Sequence, residues 1–386
     1  VMNMTTIINT VEDLKYYGIM YVLSQNMMVI CNSINFICES CTEDSVIIYY
    51  LCNSYFMINN INANSDIISS LFMNDNITSN TTSNFININN LTTNVKLNTS
   101  LFNICDYNVI NINYMYIDNE CNYTFTYSKI GKIIANIEYV YCNDCNGMFL
   151  ISIDDTTYTK LNIYNIEGNF DSFMTHDSVK FYLIINIDTI NIESTWILNI
   201  SPSSGIAYLN VDINNLYLTS NNLIIFSFGS SGTSNLVSCI NIINVINNET
   251  DISINTFLRN LGSKLYLNIA NFDNKNLDAT SSLFFFTNTS INHVNIDSLN
   301  LPLSIDNIFY INSNSILYVN IIDIIDNNNS SFSSFLVISG SLIYLNIYNF
   351  NITNTSVSNS LFNFADTTSY ITCKYLTCGD LPTIFD

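Results

Sequence analysis

Apolar and polar residues alternate in short stretches along the whole chain, and one pattern returns about every 26 residues. A clear copy is Ile343-Tyr344-Leu345-Asn346-Ile347. An alternation of period two predicts a β-strand whose apolar residues share one face while Tyr344 and Asn346 share the other. Helical spacing is absent and β-branched residues crowd the apolar positions, so the pattern predicts an all-β protein.

The most regular feature of the repeat is an asparagine between two apolar residues. Self-similarity at a fixed period of about 20–50 residues is the sequence signature of a solenoid. The asparagine column comprises Asn9, Asn35, Asn59, Asn87, Asn111, Asn136, Asn162, Asn186, Asn210, Asn241, Asn268, Asn295, Asn320 and Asn346, with Thr372 in the fifteenth position. We predict that these amides stack along the solenoid and hydrogen-bond to one another.

Each repeat also contains two further short strands, such as residues 334–338 and 350–353, separated by turns rich in Ser, Asn and Thr. Such turns leave no room for crossover helices, so each coil must stack its strands in parallel on those of the next coil. We therefore predict a parallel β-solenoid of about fifteen coils.

The pattern apolar-Asn-apolar-x-Asn-apolar, as in residues 345–350, resembles that of the right-handed parallel β-helices of the pectin-lyase-like superfamily. The resemblance covers nearly the whole chain and implies a right-handed parallel β-helix. It does not imply one activity, because the superfamily holds lyases, hydrolases, adhesins and inert shafts. A leucine-rich repeat is the alternative fold, but its asparagine should fall at Phe350 and its helices are missing.

The unbroken register predicts one elongated domain. Residues 1–30 are expected to form an N-terminal cap and first coil, with Glu12 to Tyr17 as the cap itself. Residues 31–378 are expected to form a continuous solenoid. Residues 379–386 are a C-terminal tail or the start of a following segment, and with so little chain after it the last coil is expected to be covered by another chain or a following domain.

The charge balance narrows the classes of partner. A formal net charge of −21, with Arg259 as the only arginine, argues against nucleic acid and against anionic membrane surfaces. No apolar run reaches the roughly 18 residues of a membrane-spanning helix, so we expect no membrane insertion. The balance is typical of a secreted or cell-surface protein.

The eleven cysteines favour an oxidising, extracellular compartment. The disulfide candidates are Cys31, Cys38, Cys41, Cys52, Cys105, Cys121, Cys142, Cys145, Cys373 and Cys378. Their pairing cannot be read from the sequence, but the odd total leaves one thiol, for which Cys239 is the candidate.

Two spacings among these cysteines allow further interpretations. The pairs Cys31/Cys52 and Cys121/Cys142 share a separation that suits links between adjacent coils. The pairs 38/41 and 142/145 have the spacing of zinc ligands, but about four coils separate them, so zinc is the weaker interpretation.

Thirteen Asn-x-Ser/Thr sequons are present, and none falls in the asparagine column. Most lie in the variable links between strands, which suits N-linked glycans on a secreted solenoid. The candidates are Asn3, Asn76, Asn80, Asn90, Asn98, Asn122, Asn199, Asn248, Asn288, Asn328, Asn329, Asn351 and Asn354.

Candidates for catalysis are few. The pair Asp154-Asp155 is the nearest match to the carboxylates of a glycoside hydrolase, although turn residues explain it better. Arg259 is too isolated to be the base of a lyase, and a surface ion pair is its expected role. Residues 247–251 form an acidic loop that offers calcium a weak site, without the spaced carboxylates of a known motif.

Aromatic residues recur just before the apolar anchor of successive coils, on the same face as the asparagines. The strip comprises Tyr208, Tyr266, His293, Tyr318, Tyr344 and Tyr370, with Cys239 in the same series. Such a strip serves either as a docking surface for a chain or sugar polymer, or as stacking that stabilises neighbouring coils.

Together these features favour a non-catalytic extracellular structural or surface glycoprotein without a cofactor. We expect a shaft or filament subunit that associates end to end with copies of itself. A carbohydrate-binding adhesin that uses the Tyr/Asn strip on an extracellular polysaccharide is one alternative, and a polysaccharide lyase or glycoside hydrolase is the other.

Overall fold

The computed structural model of the chain describes most of its residues. The described ranges are 2–8, 17–22, 27–38, 41, 45–50, 54–74, 83–104, 106–118, 124–128, 131–148, 150–153, 157–176, 181–202, 205–218, 224–229, 234–247, 252–273, 277–288, 290–302, 304–325, 330–353, 355–365, 367–378 and 383–385. Asn9 and the predicted cap, apart from Tyr17, lie outside these ranges. Within them the regular structure consists of β-strands, and none of these residues belongs to a helix.

The chain divides into two compact units, Val1–Asn186 and Ile187–Asp386. The strands of the first unit are β1 (Met2–Ile8), β2 (Tyr17–Val22), β3 (Met28–Cys38), β4 (Ser45–Tyr50), β5 (Tyr55–Met73), β6 (Ser83–Asn103), β7 (Asp106–Asp118), β8 (Thr124–Ser128), β9 (Gly131–Met148), β10 (Leu150–Ile153) and β11 (Thr157–His176). Strand β12 (Phe181–Ile200) contains the boundary.

The strands of the second unit are β13 (Gly205–Tyr217), β14 (Ile224–Gly229), β15 (Ser234–Ile246), β16 (Ile252–Ile254), β17 (Thr256–Leu261), β18 (Lys264–Phe272), β19 (Leu277–Thr287), β20 (Ile291–Asn300), β21 (Ser304–Ile311), β22 (Ile316–Ile325), β23 (Ser331–Ser339), β24 (Leu342–Ile352), β25 (Ser356–Val357), β26 (Ser360–Ala365), β27 (Thr368–Cys378) and β28 (Thr383–Phe385).

Strands of successive coils pair in parallel within each unit. In the first unit one row runs β1–β3–β5–β6–β7–β9–β11. In the second, the corresponding row runs β13–β15–β18–β20–β22–β24–β27, and a further row runs β14–β17–β19–β21–β23–β26–β28. The predicted all-β parallel solenoid with a period of about 26 residues is therefore confirmed. The solenoid has about ten turns rather than the fifteen expected.

The core consists of the inward residues of each strand, stacked coil upon coil. Leu267 in β18 is fully buried, and it pairs with Ile240 of the preceding coil and Val294 of the next, which are also buried. Burial follows the alternation in the sequence, because successive side chains of a strand point to opposite faces. Aromatic rings also stack within the core, where Phe284 lies on Phe309 with centroids 4.9 Å apart.

Buried polar side chains at the corners form ladders of their own. In the first unit Asn84 accepts a hydrogen bond from the Ser54 N–H at 3.1 Å and donates one to Asn108 at 3.1 Å. In the second unit Asn260 donates to the Asn292 Oδ1 at 2.5 Å and to the backbone carbonyl of Ser263 at 3.1 Å. Because buried amides need partners, these bonds hold the bend of one coil against the bend of the next.

Candidate functional site

The outward face of the long strand row carries a column of hydrogen-bonded amides. In the first unit the column joins five asparagines, and the Nδ2 of each one after the first donates to the asparagine Oδ1 of the preceding coil at 2.6–2.7 Å. These residues are Asn87, Asn111, Asn136, Asn162 and Asn186. The short, regular spacing makes each amide both donor and acceptor along the stack.

The second unit continues this pattern with one acidic member. Five asparagines donate in turn at 2.6–3.0 Å, and the first of them donates to the Oδ1 of Asp212. The donors are Asn241, Asn268, Asn295, Asn320 and Asn346. Thr372 occupies the register position beyond Asn346.

Three asparagines assigned to the column lie elsewhere. Asn35 pairs with Asn62 and lies away from the column, while Asn59 belongs to a neighbouring column. Asn210 pairs with Cys239, so Asp212 takes the column position in that coil. The loops between strands differ in length, so the local apolar-Asn-apolar triplet does not determine the register. Where two polar residues lie two positions apart, as Asn210 and Asp212 do, the pairing of the strands determines which of them lies in the column.

A second column of amides lies two residues further along the first unit's strands. Asn59 donates to Asn32 at 3.4 Å, Asn89 donates to Asn59 at 3.0 Å, and Asn113 donates to Asn89 at 2.8 Å. The motif Asn-Ile-Asn in residues 87–89 and 111–113 is the signal that identifies it in the sequence.

Five of the strip's aromatic rings form a continuous stack in the second unit. Their centroids are 4.6–4.9 Å apart and their planes lie within 11° of parallel. The members are Tyr266, His293, Tyr318, Tyr344 and Tyr370. Tyr208 was assigned to this strip wrongly: it pairs with Val237, because the register of β13 places Asn210 opposite Cys239.

The stacking determines which part of each ring a ligand can reach. The faces of His293, Tyr318 and Tyr344 lie against the rings before and after them, so their edges point outward. At one end of the stack the Nζ of Lys264 lies 5.3 Å from the ring centre of Tyr266. A sugar that stacks on an aromatic face would find the inner faces already covered, whereas a hydrogen-bonding partner would meet a row of hydroxyls and amides.

Burial, and to a lesser extent the charge of Lys264, lower the pKa of His293 from its ordinary value of 6.5. The folded state then binds its proton at lower pH than the unfolded state does. The part of the folding stability that depends on neutral His293 is therefore fully present above about pH 6.5, and it is lost as the pH falls through that value toward the folded pKa. We expect thermal melts between pH 8 and pH 5 to show this decline in the parent and a weaker one in His293→Tyr. An equal decline in the parent and in His293→Tyr would show that His293 is not the source of the pH dependence.

We expect Asn268→Leu to lower the stability of the second unit by about 1–2 kcal/mol, because Asn241 and Asn295 each lose an amide partner. Asn235→Leu is the matched control, since Asn235 is exposed on β15 and lies outside the column. Urea denaturation measures both variants. Equal stability of Asn268→Leu and the parent would show that the column contributes nothing.

The carboxylate of Glu167 accepts hydrogen bonds from a tyrosine and an asparagine of the first unit. The Tyr139 hydroxyl donates to Glu167 Oε2 at 2.9 Å, and Asn165 Nδ2 donates to Oε1 at 2.9 Å. Burial, together with the hydrogen bond and charge of Glu167, raises the pKa of Tyr139 to about 12. This arrangement keeps the phenol protonated and ties adjacent coils together.

The cysteines differ in part from expectation. Cys239 carries a free thiol, as predicted, and its pKa is raised by burial and then by Asp212. Cys373 and Cys378 are also free, so their assignment as disulfide candidates was wrong. Both lie on β27, five residues apart along an extended strand, which is too far for a bond between them. Cys31 is buried and donates to the Ser33 carbonyl at 3.4 Å. Pairing of the other candidates stays a prediction.

Four of the thirteen sequon asparagines have described side chains. Asn351 is exposed on β24, and its Oδ1 accepts a 3.2 Å hydrogen bond from the Thr353 hydroxyl of its own sequon. Asn288 is exposed in a turn with φ 59°, and Asn199 is half-buried in β12. Asn90 donates to Asn60 at 2.8 Å. Asn3 and Asn98 lie on β1 and β6 without described side chains, and the others lie outside the described ranges.

Only some of the predicted catalytic and metal-binding residues lie within the described ranges. Asp154 and Asp155 lie outside the described residues, as do residues 248–251. Arg259 lies over the ring of Phe285, with its Cζ 5.9 Å from the ring centre. In the part of the chain with described side chains, no three His, Cys, Asp or Glu residues cluster as metal ligands would. The same part contains no helix long and apolar enough to span a bilayer.

Comparison with known proteins adds no relative. The chain matches no protein-family model, no curated protein and no solved structure. The parallel β-solenoid stands on the strand pairing itself, and membership of the pectin-lyase-like superfamily stays a prediction.

Proposed function

We propose that the protein is a non-catalytic extracellular structural glycoprotein, a shaft unit built on a pectin-lyase-like solenoid. The observation that supports this proposal is the way in which side chains of the outward face contact one another. Amides there hydrogen-bond to the equivalent residues of the next coil and aromatic rings stack on them, so these side chains join coil to coil along the solenoid.

Composition supports the extracellular assignment. A net charge of −21 keeps such a surface soluble, and exposed sequons such as Asn351 and Asn288 are accessible to glycosylation. Mass measurement of the native protein before and after removal of N-linked glycans tests this part. An unchanged mass would remove "glycoprotein" from the proposal.

The proposed mode of assembly is end to end. In β24 the inward residues Leu345, Ile347 and Phe350 are buried, whereas their partners on β27 are exposed or half-exposed, and Leu376 is 41% exposed. A strand edge with an apolar row beside it is a template for a further coil. Contact between this edge and the first coil of another copy does not close on itself, and so gives a filament.

Electron micrographs and light scattering of the native protein test end-to-end assembly. We expect linear particles of varying length, and fewer of them in Leu376→Asp. A dilute, stable monomer in which residues 368–378 are protected from hydrogen exchange would contradict the proposal.

A carbohydrate-binding adhesin is the second candidate, because tyrosine hydroxyls and amides stand side by side along the second unit. The covered ring faces make it the weaker one. A glycan array separates the two proposals: binding that is lost in Tyr318→Ala would favour the adhesin.

A further inference from the structure

One part of the first unit's outward face is both apolar and uncharged. Met28, Ile30 and Met57 are each 42–58% exposed, and Phe85 is 38% exposed. The register places Met28, Tyr55 and Phe85 in one row across three coils, and Ile30 and Met57 in the row beside it. The amide column of the first unit begins only at Asn87, the next member of that second row.

The neighbouring surface is built of amides. A groove of about 370 Å³ lies beside these apolar side chains, and its walls include Ile30, Met57, Asn59 and Asn89. Asn59 and Asn89 belong to the second amide column, so one side of the groove is apolar and the other offers hydrogen bonds.

No charge interrupts this face. The segments 27–38, 54–65, 83–95 and 107–117 contain no Asp, Glu, Lys or Arg. The same strand row in the second unit carries Asp212, Lys264, Asp297 and Asp323. In a chain of net charge −21, a second copy meets like-charge repulsion over much of the surface, and this face carries no charge of its own to add to that repulsion.

We infer that this uncharged face, formed by the outward residues of β3, β5, β6 and the start of β7, pairs laterally with the same face of a second copy. A primary amide has two N–H donors and a carbonyl with two lone pairs, and the column uses only part of each. A row of amides is therefore complementary to another row of amides, as a two-fold interface requires. Met57 and Phe85 of each copy enter the groove of the other, in the way that flat strand faces with asparagine ladders interdigitate.

This lateral contact is separate from end-to-end assembly. Sedimentation equilibrium of the full chain in a Leu376→Asp background removes the end-to-end contact, and we expect a concentration-dependent dimer to remain. Met57→Asp in that background should raise the dimer dissociation constant at least tenfold, because two carboxylates would meet in the uncharged contact. Ile322→Asp is the matched control, since Ile322 is 49% exposed on the outward face of the second unit, and it should change the constant less than twofold.

Oxidation of methionine by dilute peroxide provides an independent measurement. Met28 and Met57 should become more protected as the protein concentration rises, while the circular dichroism spectra of all variants stay the same. A monomer at every concentration, equal dissociation constants for Met57→Asp and Ile322→Asp, or oxidation that does not depend on concentration would each overturn the inference. None of these results would bear on end-to-end assembly.

Discussion

Leu267→Asp is expected to prevent the second unit from folding. Loss of a buried leucine side chain alone costs about 2–5 kcal/mol, and an unpaired carboxylate in its place adds several more. That sum approaches the whole stability of a typical domain, about 5–15 kcal/mol. The substituted side chain would lie between Ile240 and Val294, where no polar partner is within the stack. Soluble expression and a cooperative melt measure the outcome.

Ile243→Asp is the control for this prediction. Ile243 is 51% exposed on the outward side of β15, so a carboxylate there stays in water. The variant should fold and melt within a few degrees of the parent. A soluble, cooperatively folding Leu267→Asp protein would contradict the inward assignment of the whole column of apolar residues.

Gly168→Ala is expected to have the second large effect, in the first unit. Gly168 has φ +122°, and a Cβ added there would lie 1.9 Å from the backbone carbonyl oxygen of Cys142 in the preceding coil. Backbone atoms cannot rotate away, so the coil must shift, and strain and overpacking together should cost about 3–5 kcal/mol. Chemical denaturation that follows the first unit measures this loss.

Gly340→Ala separates the clash from the backbone conformation. Gly340 also has a positive φ, +58°, but no atom lies within 4 Å of its added Cβ. Alanine there should cost only the left-handed conformation, about 1–2 kcal/mol. If both variants lost the same stability, close approach of the two coils at Gly168 would not be the cause.

The sequence by itself determined the fold and which residues of each strand point inward or outward. Strict alternation around Leu265, Leu267 and Ile269 is enough to assign the inward side, because the side-chain period of a strand is two. The repeat of about 26 residues required that strands stack in parallel. The aromatic stack from Tyr266 to Tyr370 was also readable, since in that region every coil presents its ring one residue before the apolar anchor.

The exact register was decided only by the tertiary structure. Hydrogen-bonded asparagines of adjacent coils are 24 residues apart at Asn87 and Asn111 but 30 apart at Asn59 and Asn89. A fixed period therefore misplaces a residue wherever a loop gains or loses a few positions. Asn210 shows the consequence, because its own triplet fits the pattern and yet Asp212 stands in the column.

The hydrogen-bond partners of side chains at the bends could be identified only from the tertiary structure. Alternation alone places Asn84, two residues before Ile86, on the inward face, but only the stacked coils show that it bonds to Asn108, and the same holds for the pair Asn260–Asn292. No local feature of the sequence indicates the close approach at Gly168, because its partner, Cys142, is in another coil. The physical reason is that alternation is a local property of one strand, whereas register, corner hydrogen bonds and backbone clearance arise between strands that meet only when the coils stack.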